Sequence, residues 1–305
     1  MKSVIYSLTT TLFLFCIASC SDDVKLYHPI EEPEIKWLLK TVDYPKENPG
    51  FTTRYSQTFF YTDDEQVTKI TNPSTADTLL KMDYSPNKIA LSRITKSSSA
   101  TTYDSLILKL NDKMQAEYAL HVTYSQQEGR NKTKSNDDST TFVYDAAGYL
   151  IQFDRYSYTG NNSSLSHTQK HTIIDGNIVE INITYGRTTT YKYTYTYDDK
   201  EHAIPAEYCY EMPLNVSGLS GCWLFTNMPF LSEYFGKRNK NNVIHMTGER
   251  TVNEVVTPYG DISYQYTFDE NNLVKQVEMS GTSRTGTKFE NFITGFSYYK
   301  KEIYW

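Results

Sequence analysis

An all-β domain, an antiparallel meander of many hairpins in a strongly curled or barrel-like sheet, is predicted by three features of the sequence. Residues 191–199 read YKYTYTYDD, with Tyr191, Tyr193, Tyr195 and Tyr197 on one parity and Lys192, Thr194 and Thr196 on the other. A period of two is that of a strand, and Tyr and Thr suit a pleated surface. One kind of turn recurs. Phe142 to Phe153 and Tyr266 to Val277 align without a gap, each ending a strand on an aromatic, turning through Asp and Gly or Asn, and restarting on an aliphatic. Finally, no long helical pattern competes with the roughly fourteen to seventeen strand-like segments between Ile35 and Trp305. Hairpins without long crossovers make a meander, and twist accumulated over so many strands forces the sheet to curl, split or close. Closure or strong wrapping also hides the edges.

In chain order, Lys2 precedes an apolar run from Val4 to Ile17, and Ile17-Ala18-Ser19-Cys20 follows. The run reads as a secretory signal peptide, residues 1–20, and is too short to span a bilayer comfortably. Its end resembles the lipobox of bacterial lipoproteins, which implies that Cys20 is lipidated and anchors the chain to a membrane. An ordinary cleaved signal is the plainer alternative. Ser21-Asp22-Asp23 resembles the acidic export signal of surface lipoproteins of Bacteroidetes-type bacteria; it also reads as a solvated linker. Residues 21–34, acidic and carrying Pro29 and Pro33, form a flexible tether. A single domain follows over residues 35–305.

Within that domain Tyr61 to Ile70 keeps the frame of the repeated turn, and Tyr84 to Ile89 and Ile174 to Ile178 are shorter variants. Asp at a turn start caps the backbone, and Gly or Asn tolerates positive φ. Stretches rich in Ser, Thr, Asn and Gly, at 96–102, 130–141, 159–169 and 280–288, read as surface loops. Residues 201–242 break the rhythm. They hold Cys209, Cys222, Pro213 and Pro229 and concentrate large apolar side chains, including Trp223, Phe225, Phe230, Leu231, Tyr234 and Phe235. Such a connection is a cap that buries these groups over an end or face of the sheet, or a binding surface at its mouth made by Trp223, Phe225 and Tyr234.

The Tyr-Asp-x-x-Gly-x-Leu turn at Tyr144 to Leu150 resembles the repeats of YD/RHS-type β proteins. Together with the lipobox and the segments Tyr197-Asp198-Asp199-Lys200 and Tyr234 to Asn242, it resembles a Bacteroidetes lipoprotein family of unknown function with a porin-like fold. Ile204-Pro205 departs from the Asn-Pro-Phe-like step expected there. The resemblance implies a fold and an outer-membrane, cell-surface location. It implies no activity.

Composition excludes some classes. Thirty Lys and Arg against 36 Asp and Glu leave a net charge of -6, with no basic cluster of the kind nucleic acid requires. The mature chain keeps only Cys209 and Cys222, which form a disulfide in an exported protein or stay as two buried thiols. His167 and His171 stand four apart, but they fall in and just after a polar stretch, so neither a metal nor another cofactor is expected. Asp63, Asp64, Asp145, Asp175, Asp198 and Asp269 read as turn residues, and no nucleophile elbow, phosphate loop or His-Glu-x-x-His is present. The 27 tyrosines suggest a partly wet inward face that packs the core or stacks sugars. The expectation is a non-catalytic binding or accessory lipoprotein whose partner is a glycan or host macromolecule. The alternatives are a glycan-active enzyme with two carboxylates at catalytic separation, and an integral outer-membrane barrel. A mean hydropathy of -0.56 weighs against the latter.

Overall fold

The computed structural model describes residues 34–44, 56–74, 78–97, 99–159, 162–186, 188–209, 211–213, 229–283, 286 and 288–303. Two units are distinguished. One contributes only 34–36 and 301–303 to the described residues, each a strand end; the other, Trp37–Lys300, carries the fold. Sixteen strands follow one another: β1 (Glu34–Asp43), β2 (Gln57–Tyr61), β3 (Val67–Thr71), β4 (Thr78–Ser85), β5 (Lys88–Lys96), β6 (Ala100–Leu110), β7 (Ala116–Gln127), β8 (Thr133–Tyr144), β9 (Leu150–Thr159), β10 (Asn162–Ile174), β11 (Asn177–Tyr185), β12 (Thr189–Glu201), β13 (Asn241–Val252), β14 (Val255–Phe268), β15 (Val274–Thr282) and β16 (Lys288–Ile303). Each pairs with the next and β16 neighbours β1, so the meander closes into a barrel. The fold expected from alternation and turn chemistry is the fold found.

The barrel's inward parity is largely apolar and its outward parity largely polar. Leu80, Met82 and Tyr84 of β4 face inward, and Lys81 and Asp83 face water. Leu106 and Leu108 of β6, Ile181 and Ile183 of β11 and Val277 and Met279 of β15 are likewise buried, opposite in parity to Lys109, Asn182 and Glu278. YKYTYTYDD follows the same rule: Tyr193 and Tyr195 are 1% and 2% exposed, while Lys192 reaches outward to Glu180 at 2.7 Å. Tyr191 and Tyr197, at the ends of the row, are only partly buried. The middle of this row is buried against the core.

Antiparallel order puts every even-to-odd connection at one end, here called the turn end. The repeated turns lie there, and their aspartates act as caps: Asp145 Oδ1 accepts from the Tyr149 amide at 2.8 Å, and Asp269 Oδ1 from the amides of Asn271 and Leu273 at 2.9 Å each. At the other end the strands outrun their composition. Residues 130–141 and 159–169, expected as loops, are largely strand, since β8 begins at Thr133 and β10 at Asn162. Ser, Thr and Asn report exposure to water, and ladder bonds to β7 and β9 still hold these exposed ends in register.

A second regularity involves the tyrosines themselves. On six even strands an inward tyrosine donates its hydroxyl to a carbonyl of the preceding odd strand: Tyr61 to Leu39, Tyr84 to Val67, Tyr144 to Ala116, Tyr197 to Ile178, Tyr266 to Val243 and Tyr298 to Val274, at 2.5–2.9 Å. Continuing each ladder places the acceptor opposite the residue just before the tyrosine, as Val67 opposite Asp83 and Ala116 opposite Val143. A phenol there is long enough to cross one strand and latch its start, and the bond satisfies a hydroxyl that packs against the core.

Candidate functional site

The connection from β12 to β13 leaves and re-enters at the turn end. Its described parts include two 3-10 segments, Ile204–Tyr208 and Pro229–Phe235. Ala206, Tyr208, Cys209, Met212 and Leu231 are at most 2% exposed, and Phe235 is buried as well. Tyr208 packs edge-on against Phe59 of β2, with ring centres 5.5 Å apart, and its carbonyl accepts from the Tyr44 hydroxyl at 3.0 Å. Phe235 meets Phe142 of β8 at 5.2 Å. These side chains fill the turn end of the lumen as a plug.

Asparagines hold its root. Asn177 Oδ1 accepts from the amides of Lys240 and Asn241 at 2.9 Å each, Asn239 Oδ1 accepts from the Ile178 amide at 2.8 Å, and Asn242 Oδ1 accepts from the Ala203 amide at 2.7 Å. Asp198 closes the loop by accepting from the Asn242 amide at 3.0 Å. Farther along, Gly236 forms a bridge with Tyr149, and the Lys237 amide donates to the Gly148 carbonyl at 2.9 Å. Gly236 has φ +87°, and a Cβ there would lie 2.4 Å from the Gly148 oxygen, so glycine is required twice over.

Beside this root lies a cleft of about 610 Å³ between the end of β12 and the strand entry at β13. Asp199, Glu201, His202, Arg238 and Lys240 are among its walls. His202 Nε2 is 3.0 Å from Glu207 Oε1, both side chains being 6% exposed, and Arg238 Nε stands 3.9 Å from the same oxygen. A smaller cleft of about 280 Å³ involves Tyr234, Tyr84, Gln66, Leu110 and Met114.

The residues singled out from sequence fall unevenly on this frame. Cys20, Cys222, Trp223 and Phe225 lie outside the described residues. Cys209 is buried in the plug. Tyr234 is 9% exposed, and burial, reinforced by Glu233, pushes its phenol up to about 12. His167 and His171 both point into the barrel from β10, together with Gln169, and stand edge-on to Phe153. Burial drives His171 down to about 4, against the bond between its Nδ1 and the Leu150 carbonyl, so the ring is neutral. Among the described residues no three His, Cys, Asp or Glu side chains converge as a metal site.

The structure also contains a cluster that sequence reasoning missed. Asp104, His121 and Asp138, from β6, β7 and β8, meet inside the barrel, flanked by Arg93 of β5 and Arg155 of β9. His121 Nδ1 lies 3.1 Å from Asp138 Oδ2, Arg155 donates to that oxygen at 2.9 Å, and Arg93 donates to Asp104 at 2.7 Å. Burial alone would raise the Asp104 carboxyl, but hydrogen bonds from His121, Arg93 and Thr123 outweigh it and hold the group at about 2. Asp138 is lowered in the same way by His121 and Arg155, again against burial. Neither carboxyl is kept protonated as a glycosidase acid must be. The cluster stabilises opposite charges inside an apolar wall. A signal was available: Asp104 shares its parity with Leu106 and Leu108, and a charge on an inward parity needs a partner.

No protein-family model matches the chain, and no curated protein matches it. Solved structures do. A porin-like protein from Bacteroides vulgatus superposes with a TM-score of 0.55 at 12% identity, over 85% of this chain and 97% of that one. A porin-like protein from Bacteroides uniformis gives 0.50 at 12%, over 86% and 96%. At that identity the likeness is one of fold. The chain has a porin-like fold: an all-β, antiparallel, closed barrel of sixteen strands.

Proposed function

We propose that this protein works at the outer membrane as a non-catalytic binding or accessory protein, held there by a lipid on Cys20 with its barrel in water, and that it belongs with the lipoproteins its N-terminus and YD-type turns resemble. The porin-like fold also suits the alternative, an integral outer-membrane barrel, and supports that alternative better than it supports a lipid-anchored binding protein. The observation that carries our reading is the distribution of side chains. A spanning barrel needs an apolar outer band about 25 Å tall around a polar lumen. Here the outward parity is mixed, with many lysines beside exposed Ile107, Val143 and Ile293, and the inward parity is largely apolar apart from the charged cluster at Asp104, His121 and Asp138. Lys81, Lys109, Lys170 and Lys192 stand exposed on the outer wall, and each lysine near a bilayer midplane would cost about 2–4 kcal/mol.

The test is fractionation of the full chain and its Cys20→Ser variant, with palmitate labelling. Labelling should vanish in the variant, and the variant should leave the membrane fraction and stay monodisperse without detergent. Planar bilayers should show no conductance. A Cys20→Ser variant that survives a carbonate wash and requires detergent would establish the integral barrel instead.

A further inference from the structure

We infer that the cleft at the root of the plug binds a polyhydroxylated, uncharged ligand, the end of a glycan, with Nδ1 of His202 accepting one of its hydroxyl protons. This deepens the binding role proposed above and rests on it, though not on how the chain is anchored. The cleft, at about 610 Å³, has the size of small-molecule sites.

His202 is the informative residue. Its Nε2 faces the Glu207 carboxylate at 3.0 Å, and a carboxylate accepts, so Nε2 carries a proton; in the neutral ring Nδ1 then presents a lone pair. That nitrogen is buried and makes no hydrogen bond among the described residues. Buried polar atoms are nearly always paired, and an exception at the wall of a cleft points to a partner supplied from outside the chain.

The surroundings select the chemistry. Asp199 and Glu201 bring two negative charges and Arg238 and Lys240 two positive ones, so a strongly charged ligand gains no net attraction. What the walls offer is a mixture of acceptors and donors. A hydroxyl both donates and accepts, so neighbouring hydroxyls of a sugar can serve Nδ1 and a carboxylate on one side and the Arg238 guanidinium on the other. A carboxylate or phosphate ligand could use only the donors, and an amine only the acceptors. The rim is set before binding, because Asn239 and Asn241 are already engaged by Ile178, Asn177 and Lys200. Such preorganisation lowers the ordering cost of binding.

The experiment is an array of neutral glycans probed with the full-length chain, followed by saturation-transfer NMR with each hit and nitrogen-15 detection of the histidines. At least one neutral glycan should bind, the His202 Nδ1 resonance should move on saturation, and Arg238→Ala should weaken binding tenfold or more. His202→Phe should abolish binding while circular dichroism remains that of the native barrel. If that variant misfolds, Asp199→Asn takes its place and should also weaken binding tenfold. Absence of binding across the array, hits unaffected by these changes, a stationary Nδ1 resonance meaning a bound water only, or displacement by acetate, phosphate or glycine would each overturn the inference. Fractionation of Cys20→Ser reports separately on anchoring.

Discussion

Six equivalent tyrosine bonds can be tested as a set. Take Tyr84→Phe, Tyr197→Phe and Tyr298→Phe, whose hydroxyls donate to Val67, Ile178 and Val274. Each substitution removes one oxygen and leaves the ring, so no cavity opens and the loss is that of one hydrogen bond. A partly buried bond of this kind contributes about 0.5–1.5 kcal/mol net. The three lie on separate strands, β4, β12 and β16, with no shared partner, so their effects should add. The triple variant should therefore lose about 1.5–4.5 kcal/mol. Urea unfolding of the purified chain measures this, with Tyr299→Phe, on an exposed ring, as the control expected to stay within about 0.5 kcal/mol of the parent. A triple variant indistinguishable from the control would refute the latch. So would a loss confined to one tyrosine, since the argument rests on equivalent geometry at every position.

Gly236→Ala should destabilise by at least about 2 kcal/mol, because the new methyl meets the Gly148 carbonyl at 2.4 Å in a left-handed backbone; calorimetry reads it, and a change under about 0.5 would mean the plug root shifts freely. Asp104 has a depressed carboxyl, so its contribution is complete above its unfolded value near 3.8 and is lost as pH falls toward about 2. Asp104→Asn should flatten the urea midpoint over that window, and an unaltered slope would show that the bonds to Arg93 and His121 do not discriminate between protonation states. His171 is also depressed, to about 4 from 6.5, but as a base. Between these values the unfolded chain takes up the proton, so stability falls with falling pH at up to about 1.4 kcal/mol per unit. His171→Gln should reduce that slope, and the same series of midpoints checks it.

Much of the barrel was legible because its rules are local. Alternation fixes the inward parity of YKYTYTYDD, and turn chemistry fixes the hairpins at Asp145 and Asp269, neither needing knowledge of a distant residue. Closure was legible only as a tendency, since twist makes it favourable without saying whether sixteen strands meet. The tyrosine latches were hidden because an acceptor carbonyl has no residue signature; only the register places Ala116 beside Tyr144. His202, Glu207 and Arg238 were missed for a related reason. They come from an irregular connection, where no period says which side chains will converge. The length of β8 and β10 was misjudged because Ser and Thr look the same in an exposed strand and in a loop.

The seam between first and last strand imposes an order on how this fold assembles. The latches join residues only 17 to 28 apart, so each latched hairpin can form and lock on its own. Where the ring closes, Thr41 meets Ser297 across 256 residues, and β1 is registered on β2 at Thr41↔Thr58 and Val42↔Gln57. Bringing such distant ends together costs about 2 kcal/mol more in chain entropy than closing a hairpin. The six latched hairpins thus condense first and the ring shuts last. Amide exchange in the native state should accordingly begin along β1 and spread from there, which makes this strand the natural entry point for chaperones, proteases or a pairing strand from another chain.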